Sequence, residues 1–357
     1  MMSTKLDIPD RYDLTRMGPM GGQASVFYAR DKWLDRDVVM KAGLPGASYD
    51  VAAEVRSLAA VNSKHVVALY DTIQDAKGVI AAIVEESVDG QSLRERLTAG
   101  LPVAEKLRLL YQIACGVTDI HSVGRIHRDL KPNNMKVRPD GLLKIFDLGI
   151  STNLADGDET QIGKGSRGYK APELFGSPPM KVSTKCDSYS IGVIAHQLLS
   201  DGRLAHGFLK EPPDPQTDGI NFELLTGTGT ELTTVLDASL ASDSRLRPEA
   251  AEIRDSLASE IVRDMHRAVI VSAGQPFVLD STNRTVRVGN SGNDITVEYD
   301  GTAFVIRALT GDVYVNNRTM RIGDKLNGAM VITLGAPAIG AARRFVTFDI
   351  SHPEILV

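Results

Sequence analysis

The chain has 357 residues, with 40 lysines and arginines against 45 aspartates and glutamates, and its formal net charge is −5. This balance gives no general electrostatic reason to expect a nucleic-acid or anionic-membrane partner. Hydrophobic residues make up 43% of the chain, which is typical of a globular protein. The length suits two domains of roughly 100–200 residues each.

The cysteines and the N-terminal residues bear on the compartment. Cys115 and Cys186 fall on apolar faces of predicted elements, so we expect reduced core thiols and a cytoplasmic location. Residues 1–9 lack the basic and then apolar pattern of a signal peptide. No apolar run approaches the roughly 20 residues that cross a bilayer, so we expect no membrane span.

The first predicted elements are three strands between residues 12 and 41. A glycine-rich segment, residues 18–29 (GPMGGQASVFYA), lies between the first two strands. Backbone N–H groups of such a segment can surround phosphate oxygens, although a simple hairpin turn is the alternative. The candidate phosphate-binding residues of this segment are Gly18, Gly21, Gly22 and Val26.

A lysine ends the third strand, and an acid follows it on a predicted helix. Lys41 closes the apolar run 37–41 (DVVMK), and Glu54 lies thirteen residues later. Residues 51–61 have helical periodicity, so Glu54 is placed on a helix. Lys41 and Glu54 are candidates for an ion pair, against the alternative of one solvated lysine and one surface acid.

Strands over 65–73 and 78–84 come next, and a segment that begins with two acids, residues 85–93, follows them. Residues 102–123 then form a long amphipathic helix. His121 lies on the apolar face of this helix, so we expect it at the edge of the core and not in a catalytic role.

A short charged loop carries the most specific chemistry of the chain. Residues 127–134 (HRDLKPNN) hold Asp129, Lys131 and Asn134, and Asp147 follows after a hairpin-like run. Asn134 and Asp147 offer the hard oxygen ligands that Mg²⁺ prefers. A solvated loop that is charged by chance is the alternative, but it does not account for four such groups at these spacings.

These motifs resemble those of protein kinases, H-R-D-L-K-x-x-N followed by D-F-G, with Leu148 in place of phenylalanine. The resemblance implies an α+β bilobal fold over residues 11–264. Its β-rich N-lobe would cover about residues 11–86 and its helical C-lobe about residues 90–264. It further implies ATP and Mg²⁺ as cofactors, with Mn²⁺ as an alternative metal.

The resemblance also assigns roles to the candidate residues. Asp129 would orient the substrate hydroxyl, Lys131 would stabilise the moving phosphoryl group, and Asn134 and Asp147 would bind the metal. Lys41, paired with Glu54, would bind the α- and β-phosphates. The backbone near Glu86 and Val88 would bind adenine.

Four positions depart from the family pattern. Pro19 and Ala24 stand at two of the three glycine positions of the phosphate loop, and Leu148 replaces phenylalanine. Glu85 falls at the gatekeeper position, where an apolar residue is more common. Either the register is wrong by one residue, or a buried acid here has a partner that the sequence does not reveal.

Residues 147–173 would form the activation segment, ending in a run similar to G-T-x-x-Y-x-A-P-E. Arg128 could grip a phosphate attached to this segment. The candidate phosphorylation sites are Thr160, Thr152 and Ser166. The residues with expected structural roles are His127, Arg128, Glu173, Asp187 and Arg247, the last of which would pair with Glu173.

Beyond residue 265, alternating patterns and turn signals predict a small all-β domain, residues 272–357. This part weakly resembles a forkhead-associated domain. Such domains bind phosphothreonine through an arginine after a glycine, but Asn290 follows Gly289 here, so we expect that phosphate site to be absent. Three arginines, Arg284, Arg287 and Arg307, could form another anion site, although scattered exposed arginines are the simpler reading.

The sequence as a whole favours a bacterial, eukaryotic-like (Hanks-type) serine/threonine protein kinase that phosphorylates protein substrates and itself. Lys131, two residues after Asp129, is typical of serine/threonine specificity. A pseudokinase scaffold is the alternative, on account of the four departures from the pattern. A small-molecule phosphotransferase would lack the ending Ala171-Pro172-Glu173. A protein partner for the β domain is also expected.

Overall fold

The computed structural model describes residues 8–18, 24–43, 50–149, 151–153, 165–176, 182–227 and 231–351. The chain divides into two compact units, Met1–Leu257 and Ala258–Leu356. No helix among the described residues is long and apolar enough to cross a membrane.

The first unit begins with a five-stranded antiparallel sheet and one helix. Its strands follow the order β1-β2-β3-β5-β4 across the sheet. The elements are β1 (Tyr12–Met17), β2 (Ala24–Asp31), β3 (Arg36–Gly43), α1 (Val51–Ala60), β4 (Leu69–Gln74) and β5 (Ile80–Glu86). The predicted three strands, helix and two further strands are therefore confirmed.

The pairing of these strands brings the predicted nucleotide-binding residues together. Val26 on β2 lies opposite Lys41 on the central strand β3, and Lys41 lies opposite Ile83 on β5. Helix α1 begins at Asp50, whose carboxylate accepts a hydrogen bond of 3.0 Å from the N–H of Ala53. Because α1 buries Glu54, that side chain points towards the sheet and not into solvent.

The rest of the first unit is mainly helical. Its helices are α2 (Leu93–Arg96), α3 (Val103–Ser122), α4 (Lys185–Leu199), α5 (Phe222–Thr226), α6 (Glu231–Ser239) and α7 (Ala250–Ile261). Short strands lie between them: β6 (Gln91–Ser92), β7 (Arg125–Ile126), β8 (Met135–Val137), β9 (Leu143–Ile145) and β10 (Thr152–Asn153). Helix α3 is the predicted amphipathic helix, and β8 and β9 pair as the predicted hairpin around Gly141.

Helix α4 is the centre of this helical part, because nearly all of its residues are buried. Gly192 lets α6 approach α4 closely, since a Cβ there would lie 2.1 Å from the Ser239 hydroxyl oxygen. Asp187 near the start of α4 is fully buried. A buried carboxylate requires partners, and these partners turn out to lie in the charged loop.

The second unit is an all-β structure of two sheets. Its strands are β11 (Ala268–Ser272), β12 (Gln275–Leu279), β13 (Thr285–Asn290), β14 (Asn293–Tyr299), β15 (Phe304–Thr310), β16 (Val313–Val315), β17 (Arg318–Thr319), β18 (Lys325–Leu326), β19 (Met330–Leu334) and β20 (Arg344–Ile350). One sheet has the order β12-β11-β20-β19-β16-β17, and the other has the order β13-β14-β15-β18. Alternate residues of both sheets form one apolar core, so the predicted all-β domain is confirmed.

The second unit begins earlier along the chain than the predicted residue 272. Strand β11 pairs with β20 over its whole length, from Ala268 opposite Ile350 to Ser272 opposite Val346. It pairs with β12 as well. Residues 268–271 therefore belong to the β unit and not to the connection before it.

Candidate active site

Lys41 lies in a buried cluster of acids that come from different elements. Its Nζ atom is 3.2 Å from Oε1 of Glu54 on α1 and 3.1 Å from Oε1 of Glu85 on β5. The carboxylate of Asp147 is 4.0 Å from the same nitrogen. Lys41, Glu54 and Glu85 are all buried, so the contacts are formed in a low-dielectric environment.

This cluster resolves the question that Glu85 raised in the sequence. The register of β5 against β3 places Glu85 opposite Val39, and its side chain reaches Lys41 across the sheet. Burial raises the pKa of Glu85 to about 7, although the Lys41 ammonium opposes the shift. Burial likewise disfavours the charge on Lys41, but Glu85 and Glu54 outweigh it and raise the pKa of Lys41.

The charged loop forms a second group of polar contacts. Lys131 Nζ donates to Oδ2 of Asp129 at 2.6 Å and to the Ser166 hydroxyl at 2.6 Å. The Asn134 amide donates to the Asp129 carbonyl oxygen at 3.0 Å and to Oδ2 at 3.3 Å. Oδ1 of Asp129 is buried and has no hydrogen-bond partner among the described residues. One carboxylate oxygen is thus held by two side chains, and the other makes no hydrogen bond with the described residues.

Asp187 holds the backbone of this loop from α4. Its two oxygens accept 2.8 Å hydrogen bonds from the N–H groups of His127 and Arg128. His121 Nε2 lies 2.8 Å from Oδ2 of Asp187, which is the edge-of-core position expected for it. Burial would raise the pKa of Asp187, but the His121 contact and the loop N–H groups hold it below its usual range.

The backbone itself is strained at two of these positions. Arg128 has a φ of 68° and Asp147 has a φ of 69°. Residues other than glycine rarely adopt this left-handed conformation, which costs energy and tends to occur at functional sites. The hydrogen bonds from Asp187 stabilise the unusual turn at Arg128.

Phe146 and Asp147 connect the charged loop to the cluster around Lys41. Phe146 donates its N–H to the Asn134 carbonyl oxygen at 3.0 Å, and Asp147, the next residue, reaches Lys41. Leu148 is fully buried in the core beside α1, so leucine fills the position where the family pattern has phenylalanine. Lys41, Asp129, Asn134 and Asp147 are therefore brought together at one site.

The glycine-rich segment is described only in part, whereas the predicted adenine-binding segment, residues 86–88 (the hinge), is described in full. Gly18 donates its N–H to the Val26 carbonyl oxygen at 2.8 Å, whereas Gly21 and Gly22 lie outside the described residues. Glu86 uses its N–H to bond the Ala68 carbonyl oxygen at 2.9 Å. Its carboxylate pairs with Lys144 at 2.8 Å.

A second lysine also fixes the hinge. Lys136 on β8 donates to the Val88 carbonyl oxygen at 3.0 Å. The sequence did not predict the contacts of Lys136 with Val88 and of Lys144 with Glu86, because neither lysine belongs to a recognisable motif.

The activation segment is described at both of its ends. Glu173 makes two 2.8 Å hydrogen bonds with the buried guanidinium of Arg247. Ser166 contacts Lys131, and the backbone of Thr152 pairs with Ile126. Thr160 lies outside the described residues.

A contact between α1 and the start of the activation segment was also not foreseen. The hydroxyl oxygens of Ser57 and Ser151 lie 2.6 Å apart. Ser57 is fully buried one helical turn after Glu54, so it ties the helix that carries Glu54 to the segment that follows Asp147. Paired serines carry no sequence pattern that could have indicated this contact.

The donor set suits a magnesium ion that is shared with a nucleotide. In the described part of the chain, no group of three or more His, Cys, Asp and Glu side chains could hold a metal by itself. Mg²⁺ bound with substrate phosphates needs only one or two protein ligands and keeps several waters. The half-exposed Asp147 carboxylate and the oxygen of the Asn134 amide are two ligands of the kind that this requirement describes.

In the second unit, the three arginines considered as an anion site each have an acidic neighbour. Arg284 pairs with Asp264 at 2.6 Å, Arg287 with Asp294 at 3.3 Å and Arg307 with Glu298 at 3.1 Å. These contacts lie at the surface. The absence of the phosphothreonine site of forkhead-associated domains stays a prediction.

Comparison with known families identifies the class of protein that this site belongs to. The sequence pattern of the protein kinase domain matches residues 14–255. The match covers more than half of the chain and contains every element of the site. The chain therefore belongs to the protein kinase family, whose members use ATP and Mg²⁺.

The individual relatives are bacterial serine/threonine kinases. Serine/threonine-protein kinase PknB of Mycobacterium leprae is 29% identical over 306 residues, which cover 76% of this chain and 48% of that protein. The kinase drp72 of Corynebacterium efficiens is 34% identical over 208 residues, covering 55% of this chain and 39% of the relative. PknA of Mycobacterium tuberculosis is 32% identical over 227 residues, covering 57% and 52%.

The predicted assignment to the bacterial, eukaryotic-like serine/threonine kinases is thus confirmed at the level of the family. The chain spans about half of the length of these relatives or less. Their names describe their own activity.

Proposed function

We propose that the protein transfers the γ-phosphoryl group of ATP to serine and threonine hydroxyls of proteins, its own activation segment included. The observation that carries the proposal is the convergence of Lys41, Asp129, Asn134 and Asp147 through the contacts described above. Phosphoryl transfer needs positioning and charge neutralisation more than covalent chemistry. These four side chains supply both.

In the proposed mechanism, Lys41 binds the α- and β-phosphates while Glu54 holds it in place. Asn134 and Asp147 would hold Mg²⁺, which supplies positive charge to the phosphate oxygens when it is bound. The backbone of residues 86–88 would bind the adenine. Because the Glu86 N–H already bonds Ala68, the adenine contacts fall to the remaining groups of this segment.

Asp129 would orient the acceptor alcohol and take its proton. The contacts from Lys131 and Asn134 hold the Asp129 carboxylate in one orientation. Lys131 then lies beside the transferred group and stabilises its charge. The Lys131 contact with Ser166 favours a positioning role for Ser166 over its candidacy as a phosphorylation site.

Regulation by phosphorylation is part of the proposal. A phosphate on Thr160 or Thr152 would approach Arg128, whose backbone is held by Asp187 next to the catalytic loop. The guanidinium forms strong paired hydrogen bonds with phosphate, so such a contact would order the segment. Protein substrates follow from the same chemistry, and a cytoplasmic location stays a prediction.

A transfer assay tests the proposal against the scaffold alternative. Wild type and Asp129→Asn are incubated with radiolabelled ATP, Mg²⁺ and casein, and nucleotide binding is followed with a fluorescent ADP. We expect labelled casein with wild type, a loss of about 10²–10⁴-fold in Asp129→Asn, and ADP binding by both. The surface variant Asp349→Asn is the control. Equal labelling by wild type and Asp129→Asn, or none with either, contradicts the proposal.

A further inference from the structure

Lys41 has more acid around it than the pair with Glu54 requires. The distance from its Nζ atom to Glu85, 3.1 Å, is as short as the distance to Glu54, 3.2 Å. Glu54 and Glu85 approach the ammonium from two different elements, helix α1 and strand β5. An ATP phosphate that binds Lys41 must therefore share it with two buried carboxylates.

The Glu85 carboxylate is only partly hydrogen-bonded inside the protein. Its second oxygen, Oε2, is buried and makes no hydrogen bond with any described residue. The charged groups around it are Lys41 on β3, Glu54 on α1 and Asp147 after β9, while its partner on β4, Leu69, is apolar. One cation thus faces three acids, and a buried carboxylate in such surroundings tends to take up a proton.

We propose that Glu85 is a positioning residue that competes with the nucleotide phosphates for Lys41, so that ionisation of Glu85 weakens ATP binding. The inference rests on the proposed kinase function. A neutral Glu85 leaves Lys41 free to move towards the phosphates while Glu54 holds it. An ionised Glu85 retains the ammonium and adds a negative charge near the triphosphate. The strength of this competition should change near neutral pH, because burial raises the pKa of Glu85 to about 7.

The test compares the KM for ATP of wild type and Glu85→Gln from pH 6 to pH 8.5. The wild-type KM is divided by the Glu85→Gln KM at each pH, so that the titration of ATP and of groups common to both proteins cancels. We expect this ratio to be near one at pH 6 and about fivefold or more at pH 8.5, since one pKa unit corresponds to a tenfold change in an equilibrium constant. The kcat values should stay within about twofold of each other, because Glu85 acts on Lys41 and does not touch the acceptor.

Two further variants separate the charge of Glu85 from its shape. Glu85→Met has a similar length and cannot ionise, so its KM for ATP should show the same pH dependence as that of Glu85→Gln. It replaces Glu85→Gln in the comparison if the glutamine variant folds poorly. Glu298→Gln makes the same chemical change in the β unit, where Glu298 pairs with Arg307, and should follow wild type. A ratio that does not depend on pH, or a wild type that binds ATP more tightly than both Glu85 variants at pH 8.5, overturns the inference.

A calorimetric measurement on the wild type needs no variant and no catalysis. MgADP is titrated at pH 7.5 in buffers of different ionisation enthalpy, which reveals the protons exchanged on binding. We expect uptake of a fraction of a proton, because bound phosphates favour neutral Glu85. The absence of uptake overturns the inference, whereas a wild type that shows uptake but transfers no phosphate overturns only the proposed function.

Discussion

At the residue scale, Lys41 has two separate physical roles that its replacement would expose together. It is the cation for the nucleotide phosphates in the proposed mechanism, and it neutralises the buried acids Glu54 and Glu85. A substitution that removes the ammonium should therefore affect both activity and stability. The two effects can be measured separately, because stability is determined without nucleotide and activity is determined with it.

Lys41→Ala should lower kcat/KM by at least about 10²-fold, since an electrostatic contact with the transferring group is lost. It should also destabilise the folded protein by about 3 kcal/mol near neutral pH, because breaking a buried pair leaves charge uncompensated. Activity assays and urea unfolding measure the two effects. Unchanged turnover would show that Lys41 is misassigned.

The stability loss should depend on pH in a definite direction. Glu85 has a folded-state pKa raised from 4.5 to about 7, and loss of Lys41 raises it further. The folded state then keeps a proton that the unfolded state releases, so stability falls as pH rises above about 4.5. In wild type this loss ends near pH 7, whereas in Lys41→Ala it continues to higher pH. The difference in stability between the two proteins should therefore be nearly constant below about pH 7 and grow towards pH 8 and above. Lys32→Ala, an exposed lysine on the same lobe, is the control.

The sequence predicted the residues of this site better than it predicted their contacts. Asp129, Asn134 and Asp147 could be found because their spacing is part of a recognisable pattern. The pair of Lys41 with Glu85 could not be found, because it depends on which face of β5 carries residue 85. A slip of one residue along a strand reverses that face, and the sequence alone left the register open.

At the scale of elements, a buried arginine fixes the end of the activation segment. Arg247 binds the Glu173 carboxylate with two hydrogen bonds and donates to three backbone carbonyl oxygens, those of Ala241, Ser242 and Lys185. The guanidinium is fully buried. It therefore joins residues 172–175 to the start of α4 and to the loop before α7.

Arg247→Lys should destabilise the protein by about 2–4 kcal/mol, because lysine keeps the charge but cannot make the paired and forked contacts. Thermal unfolding measures the change. Arg245→Lys, two residues away, is the matched control, since Arg245 is exposed and pairs with Asp243 at the surface. A surface pair contributes little, so equal melting temperatures of the two variants would contradict the role of Arg247.

The long periodic elements were predicted from the sequence, and short ones were not. Helix α3 and the strands of the N-terminal sheet follow clear patterns of alternation or helical spacing. Strands β17 and β18 have two residues each, too few for any pattern. Strand β12 contains Pro276 and three exposed residues at its start, so its pairing with β11 and not its composition makes it a strand.

At the scale of the whole molecule, the kinase part and the β unit each have an apolar core of their own. Compact units with separate cores are expected to fold independently. The boundary matters for any attempt to separate them, because strand β11 belongs to the β unit. The predicted boundaries, 264 for the kinase domain and 272 for the β domain, would leave residues 268–271 in the connection between them.

A chain that stops after Asp264 should keep phosphoryl transfer within about threefold of the full chain, since Lys41, Asp129, Asn134 and Asp147 all lie in the first unit. A chain that stops after residue 271 should be less soluble, because residues 268–271 form an unpaired apolar strand. Transfer assays and size-exclusion chromatography compare the two. Loss of ADP binding by the shorter chain would show that the division between the units is wrong.

The most direct test of the central proposal is mass spectrometry of the purified protein after incubation with ATP and Mg²⁺. Wild type should acquire phosphate on serine and threonine and none on tyrosine, with sites in the activation segment. Asp129→Asn should acquire none under the same conditions. Phosphate on the Asp129→Asn protein at the wild-type level, or an unmodified wild type that also leaves casein unlabelled, would contradict the assignment of this site to protein phosphorylation.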